Sequence, residues 1–328
     1  MNSRRIFWVK VVFSIVLLAV LFQFVPLSDI VDVIANTNVG WFTFALALQF
    51  LARAAATFQM QVVAANQGVS LSILDLYRLL LTTQFYSLIL PGPIAGGGVA
   101  WVKYLHHGAA KGTAAAIVML NRSMGFGMMT IVGACAWIVE RHSDRPVLVV
   151  STLIIALLAA AITIALPPQE SAADPSPLDE PHTTSRLRRF WYRLFLFRRI
   201  SRPGKLILVV SAFMNAILTA AVILSFAFAV NVELTLVSAL WIRAALQVML
   251  LLPITVAGIG VREVSLVGLG ALVGAPPSAA IAWSFAILAG TIVVAAVGGL
   301  IETNAATHKV ENYLQKSQPD AVERRDRG

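Results

Sequence analysis

The sequence predicts an all-α fold: a polytopic transmembrane helix bundle organised by an inverted internal repeat of broken, re-entrant helices. Three observations lead there. Of the 328 residues 58% are hydrophobic and 12% charged, and the mean hydropathy is +0.81, values of a chain folded in lipid rather than in water. Apolar runs of about the 20 residues needed to cross ~30 Å of hydrocarbon recur along it. One helix-breaking device occurs twice. Its clearer copy is Leu252-Pro253-Ile254-Thr255-Val256-Ala257-Gly258-Ile259-Gly260-Val261-Arg262-Glu263. Leu90-Pro91, Ala95-Gly96, Gly98-Val99, Gly108-Ala109, Gly112 and Glu140 stand 162 positions before Leu252-Pro253, Ala257-Gly258, Gly260-Val261, Gly270-Ala271, Gly274 and Glu302, without a gap.

The elements follow in order. Asn2-Ser3-Arg4-Arg5 precedes an apolar run from about Ile6 to Val25, too long for a signal peptide and without a small-x-small cleavage site, so it reads as a retained first span. Leu27 to Asn38, with Asp29 and Asp32, reads as a short interfacial helix. Gly40 to Ala65 is a span with Arg53 near its middle. Ser70 to Leu90 carries Asp75, Arg78 and Gln84 and ends at Pro91. Pro91 through Gly98 is expected to be non-helical, because proline removes a backbone donor and glycine favours unwinding. Gly112–Ile138, Pro146–Leu166, Lys205–Val230 and Ser278–Ile301 read as further spans, with Leu234–Leu252 leading into the second break.

Residues 167–203 form the one long polar connection. Its first half is Pro-rich and acidic and is expected to be disordered. Its second half, Arg186-Leu187-Arg188-Arg189-Phe190-Trp191-Tyr192-Arg193 with Arg198, Arg199 and Arg202, interleaves bases with aromatics as an interfacial segment does. The domain plan is a single transmembrane domain over 1–302, with repeat elements 66–140 and 231–302 and the linker at 167–203, then a polar tail at 303–328 expected to be disordered. The bases at the N-terminus, linker and tail place all three in the cytoplasm of an inner-membrane protein. The path between them then enters the two broken elements from opposite faces. It contains six full spans plus two re-entrant pairs, or ten crossings if each break crosses fully. Inverted repeats of discontinuous helices are a transporter signature, with the site near the midplane.

The formal charge of +9 sits at helix ends and in the linker, so it is topological and not a nucleic-acid footprint. A single Cys135 excludes an internal disulfide and any multi-cysteine metal site. His106-His107 are adjacent, without the i, i+4 spacing of a helical metal pair, and no cofactor is expected. There is no Ser-His-Asp set and no phosphate-binding P-loop. Asp29 and Asp32 are the one carboxylate pair an enzymatic alternative, a membrane glycosyltransferase or lipid-modifying enzyme, would use.

The membrane-depth charges are unbalanced. Arg53, Arg122, Arg243 and Arg262, with Lys103, face Glu263 as the one obvious intramembrane anion. A central arginine costs ~3 kcal/mol on insertion scales, so several of them require a partner. Phosphate is a natural one, since arginine binds it bidentately and glycine-rich breaks expose backbone N–H groups. Together they imply a cavity for an anionic group, most simply a lipid phosphate. Pro91, Gly96, Gly97 and Gly98, and Pro253, Gly258 and Gly260, are the hinge candidates. Structural readings stand beside these: Arg262 and Glu263 as a lock, Arg53 and Arg243 as packing or snorkelling groups, Lys103 as a boundary residue, the glycine triplet as a close-packing surface, Glu140 and Glu302 as span boundaries.

These motifs resemble a known family. Leu252-Pro253 … Gly258-Ile259-Gly260-Val261-Arg262-Glu263 resembles the "P-x-x-x-G-G-x-G-V-R-E" element of the lysylphosphatidylglycerol synthase transmembrane, or flippase-like, family. Leu90-Pro91-Gly92 … Gly96-Gly97-Gly98 resembles its "L-P-G-x-x-G-G-D" element, and Leu120-Asn121-Arg122-Ser123-Met124-Gly125 its "D-R-x-x-G" element. Three positions depart from the pattern: Gly98 replaces the acid after the paired glycines, Trp101 falls on the following arginine with Lys103 two positions on, and Asn121 replaces the acid before Arg122. The resemblance implies movement of an aminoacyl-phosphatidylglycerol-like lipid, or of a polyprenyl-phosphate-linked intermediate, between leaflets. No soluble synthase domain is expected after the last span. Arg262, Arg122 and Lys103 are the expected phosphate ligands, Arg243 and Arg53 line the path, and Glu263 positions Arg262 or relays a proton. The expected partners are membrane lipids, and no nucleic acid. The remaining alternative is a non-transporting partner subunit that docks a protein through the Arg-rich linker.

Overall fold

The computed structural model describes residues 23, 27–89, 95–141, 200–251 and 258–316. The expected spans at 6–25 and 146–166, most of the linker, and Pro91 and Pro253 lie outside the described residues. Within them the fold is all-helical: α1 (Leu27–Ala35), α2 (Val39–Asn66), α3 (Ile73–Ile89), α4 (Ala95–His106), α5 (Lys111–Arg141), α6 (Arg202–Ala229), α7 (Leu236–Met249), α8 (Val261–Ala271) and α9 (Pro277–Lys316). Four helices are long and apolar enough to cross a membrane: Val39–Asn66, Lys111–Glu140, Arg202–Ala229 and Pro277–Thr303.

Polar residues at the ends of apolar runs set the boundaries. The side chains of Asn38, Ser201 and Thr235 accept from the N–H groups of Trp41, Gly204 and Ser238, which caps α2, α6 and α7. Leu206, Val210, Phe213 and Met214 recur at helical spacing along α6 and are exposed, which gives that helix a lipid-facing stripe. Inside, Phe226, Trp241, Ile242, Leu266 and Trp283 anchor one core, and Tyr104, Leu76, Ile117 and Leu208 a second.

The helices recur with the spacing of the motifs. Shifting α2 by 162 gives 201–228 against Arg202–Ala229 for α6, and shifting α3 gives 235–251 against Leu236–Met249 for α7. The corresponding helices α2 and α6 pack antiparallel: Trp41 meets Phe228 and Phe42 meets Phe226 with ring centroids 5.0 and 5.4 Å apart, while Gly204 at the other end faces Val62. The remaining helices pack across the repeat, α3 on α9 and α7 on α5.

Two expectations change. Gly96, Gly97 and Gly98 form the first turn of α4 and not an irregular segment. The first N–H groups of a helix have no intrahelical acceptor, so the usual case against glycine is weakest there. The need is steric: a Cβ on Gly96 would stand 2.1 Å from Ser87 Oγ. The end also differs, since α9 stays helical through Lys316, beyond the boundary at 302.

Candidate functional site

The second break places two glycines in left-handed backbone. Gly258 and Gly260 have φ of 78° and 90°, a region closed to most side chains, and Gly260 is the residue from which α8 starts. Glu263, fully buried in the first turn, turns back and accepts the Gly260 N–H at 2.5 Å. Its other oxygen accepts from Ser284 Oγ of α9 at 2.7 Å. Arg262 Nε donates to the same Ser284 Oγ at 3.1 Å and stands 3.5 Å from the Glu263 carboxylate. Both charges are thereby spent inside the protein, and the carboxylate also offsets the positive end of α8. One donor is left over: among the described residues, Arg262 Nη2 is buried without a hydrogen-bond partner.

The first break is built differently. The Arg122 guanidinium lies over the first turn of α4, where a Cβ on Gly97 would be 3.1 Å from Arg122 Cζ. Buried Gln59 of α2 clamps the residue before it, its Nε2 donating to both the carbonyl and Oδ1 of Asn121 at 2.9 Å. Asn121 therefore keeps an acceptor where the family pattern has an acid. The position of α9 corresponding to Arg122 under the 162 offset is Ser284, so the same helix site supports an arginine in one copy and a hydroxyl relay in the other.

Lys103 and the two span-end glutamates form contacts between copies. Lys103 Nζ pairs with Glu302 of α9, and Glu140 at the matching end of α5 accepts from Trp241 Nε1 at 2.7 Å and Ser238 Oγ at 3.0 Å, both on α7. The Lys103 and Glu302 side chains are 29% and 28% exposed, so water weakens the pair. A double-mutant cycle of Lys103→Ala and Glu302→Ala, read from melting curves in detergent, is expected to give a coupling of at most ~1 kcal/mol. A coupling several-fold larger would make this contact a main strut and not a breakable latch.

Arg53 and Arg243 are both half-buried. Arg53 Nη2 donates to Gln84 Oε1 of α3 at 2.7 Å. Arg243 of α7 has no hydrogen bond or ion pair among the described residues. Asp29 and Asp32 are exposed on α1, and no group of three or more metal-ligating side chains occurs among the described residues.

The structure thus joins Arg262 to Glu263 and Arg53 to Gln84, places Arg122 against Gly97, and sends Lys103 to Glu302. Ser284 and Gln59 were not singled out from the sequence, and Gln84 was named only as a polar residue of its apolar run. Only Ser284 carried a usable signal, its 162-residue offset from Arg122. A family model described as the lysylphosphatidylglycerol synthase TM region matches residues 7–299. The chain belongs to this family. Its members' transmembrane region accounts for nearly all of the sequence, and with the four membrane-length helices it makes the chain a multi-pass membrane protein. No curated protein matches it.

Proposed function

We propose that this member of the lysylphosphatidylglycerol synthase TM family is a transporter and not an enzyme, moving an anionic lipid between leaflets of the inner membrane. The substrate class is an aminoacyl-phosphatidylglycerol-like phospholipid or a polyprenyl-phosphate-linked intermediate. One observation carries the proposal. Among the described residues, the acids on the membrane-length and broken helices up to Glu302 are engaged: Glu263 by Gly260 and Ser284, Glu302 by Lys103, Glu140 by Trp241 and Ser238, Asp75 by Ser72 and Arg78. Arg53 and Arg243 have none. Cations kept at depth without an acid favour an anionic visitor.

The antiparallel packing of α2 on α6 supports an inverted repeat, and with it a rocking motion of two halves around a central site. Glu302, paired with Lys103 of α4, would act as a latch, while Glu140 fastens α5 to α7. Both termini face the cytoplasm in this arrangement.

The test is leaflet exchange in liposomes holding the purified protein, using labelled phosphatidylglycerol, its lysyl ester and a polyprenyl phosphate. Exchange of at least one is expected to exceed that of protein-free vesicles, and Arg122→Gln to slow it about tenfold, the loss of one charge-assisted contact. Protein-free rates for all three lipids would remove the transport reading.

A further inference from the structure

We propose that Arg53 and Gln49 of α2, with Gln84 of α3, form a single seat for the phosphate group of the substrate. This rests on the transport reading and narrows it from a basic path to three side chains, tied by one hydrogen bond and one helix turn.

A guanidinium only donates, so the 2.7 Å hydrogen bond from Arg53 Nη2 turns the Gln84 amide with its oxygen toward Arg53 and its Nε2 away. Gln49 stands one turn before Arg53 on α2, a spacing that puts the two Cβ atoms about 6 Å apart on one face. That side of α2 carries buried Ala45, Ala52 and Met60, while exposed Phe44, Leu51 and Phe58 lie opposite, so both side chains point into the bundle and not into lipid. Gln49 reaches α9 at Gly290, where an added Cβ would stand 2.9 Å from Gln49 Nε2 and 2.4 Å from Phe226 Cζ. Among the described residues, Gln84 is the one hydrogen-bond partner of Arg53, and the Gln49 amide has none. None of the three residues has an unpartnered polar atom that is fully enclosed, so their free donors border open space.

The set has the chemistry of an anion site. It joins one held guanidinium to neutral amide donors, without a carboxylate. Helix α2 contains no acid, and the one acid of α3, Asp75, lies in its first turn beside Arg78. Residues 6–25, 90–94, 146–166 and 252–257 carry no acid in the sequence either. A fork and two amides from two helices match the several acceptor oxygens of a phosphate, which takes a bidentate contact from arginine. The seat is single. The positions 162 residues on are Ser211, Asn215 and Leu246, which supply no charge, and buried Ser211 spends its hydroxyl on the Leu208 carbonyl. Arg262 is spent on Ser284 and Glu263, and Lys103 on Glu302.

A lipid head group and free phosphate offer the same chemistry, so both serve as probes. The full chain in non-ionic detergent is titrated with dihexanoyl-phosphatidylglycerol, with inorganic phosphate, and with dihexanoylglycerol as the phosphate-free control. The expected result is binding of a phosphate-bearing probe and none of the control. Arg53→Gln is expected to weaken affinity about 10- to 100-fold, and Gln49→Leu, which removes one neutral donor, about 3- to 10-fold. Binding of the lipid alone assigns the head group; equal binding of inorganic phosphate assigns the free ion. Gln84→Glu separates binding from folding. It keeps the oxygen that accepts from Arg53 and adds the missing carboxylate, so it is expected to melt no lower than the unmodified protein and to lose at least about tenfold in affinity. Unchanged affinity in Arg53→Gln and Gln84→Glu, or no binding of either phosphate probe to the unmodified protein, would overturn the assignment. Lipid exchange that persists in both of these variants would sink this seat alone, whereas phosphate binding with no lipid exchange would sink the transport reading alone.

Discussion

Glu263→Ala is expected to destabilise the protein by ~3–5 kcal/mol, the usual cost of stripping one partner from a buried charge pair. Three losses coincide. The Gly260 N–H loses its acceptor at the start of α8, Ser284 Oγ loses the oxygen it donates to, and Arg262 keeps its charge with only a hydroxyl beside it. Arg262→Met is expected to cost less, because Glu263 retains both of its hydrogen-bond donors. Glu263→Gln lies between, since an amide oxygen can still accept from Gly260 but carries no charge for Arg262. Thermal melts in detergent, with the three variants side by side, check the order. If Glu263→Ala melted within ~1 kcal/mol of the unmodified protein, the cap would contribute little and Glu263 would be free for proton relay.

Much of the fold was legible because lipid imposes a simple rule. Apolar runs near 20 residues mark helices, and all four described long spans fall where those runs are. The 162-residue offset was legible because it is constant across ten matched residues, and the bounds of α2 and α3 carry over to α6 and α7 within two residues. What the sequence could not convey was the reason for each polar or small residue. Gly96-Gly97-Gly98 and Gly258-Ile259-Gly260 look alike on paper. The first is a helical turn cleared for Ser87 and Arg122, while the second supplies left-handed backbone at Gly258 and Gly260. Charge pairing was equally hidden. Lys103 and Glu302 are 199 residues apart, and Glu302 alone reads as the end of a span. Arg53 suggests snorkelling when read singly; only the packing of α2 on α3 shows that Gln84 holds it.

Gly298→Ala is expected to be among the most damaging single-methyl additions in the chain. A Cβ there would stand 2.0 Å from the Leu81 carbonyl oxygen and 2.5 Å from its carbon, so the obstacle is the backbone of α3 and no side chain can rotate away. Overpacking typically costs ~1–3 kcal/mol, and a clash with backbone belongs at or above the top of that range. Gly127→Ala is the control. Nothing lies within 4 Å of its added methyl, and exchanging a mid-helix glycine for alanine should be neutral or stabilise by up to ~1 kcal/mol. Melting temperatures of the pair in detergent should therefore move in opposite directions, or the control not at all. Equal behaviour would mean that α3 and α9 separate readily. The outcome bears on mechanism as well as stability. Gly298 joins α9 to α3, and Gly133, whose added Cβ would stand 2.2 Å from the Ala244 methyl, joins α5 to α7. Each contact crosses from one copy of the repeat to the other. If both are as tight as these distances require, a rocking motion cannot part the copies along them. The moving units must then be the crossed pairs, α3 with α9 and α5 with α7, hinged about α2 and α6.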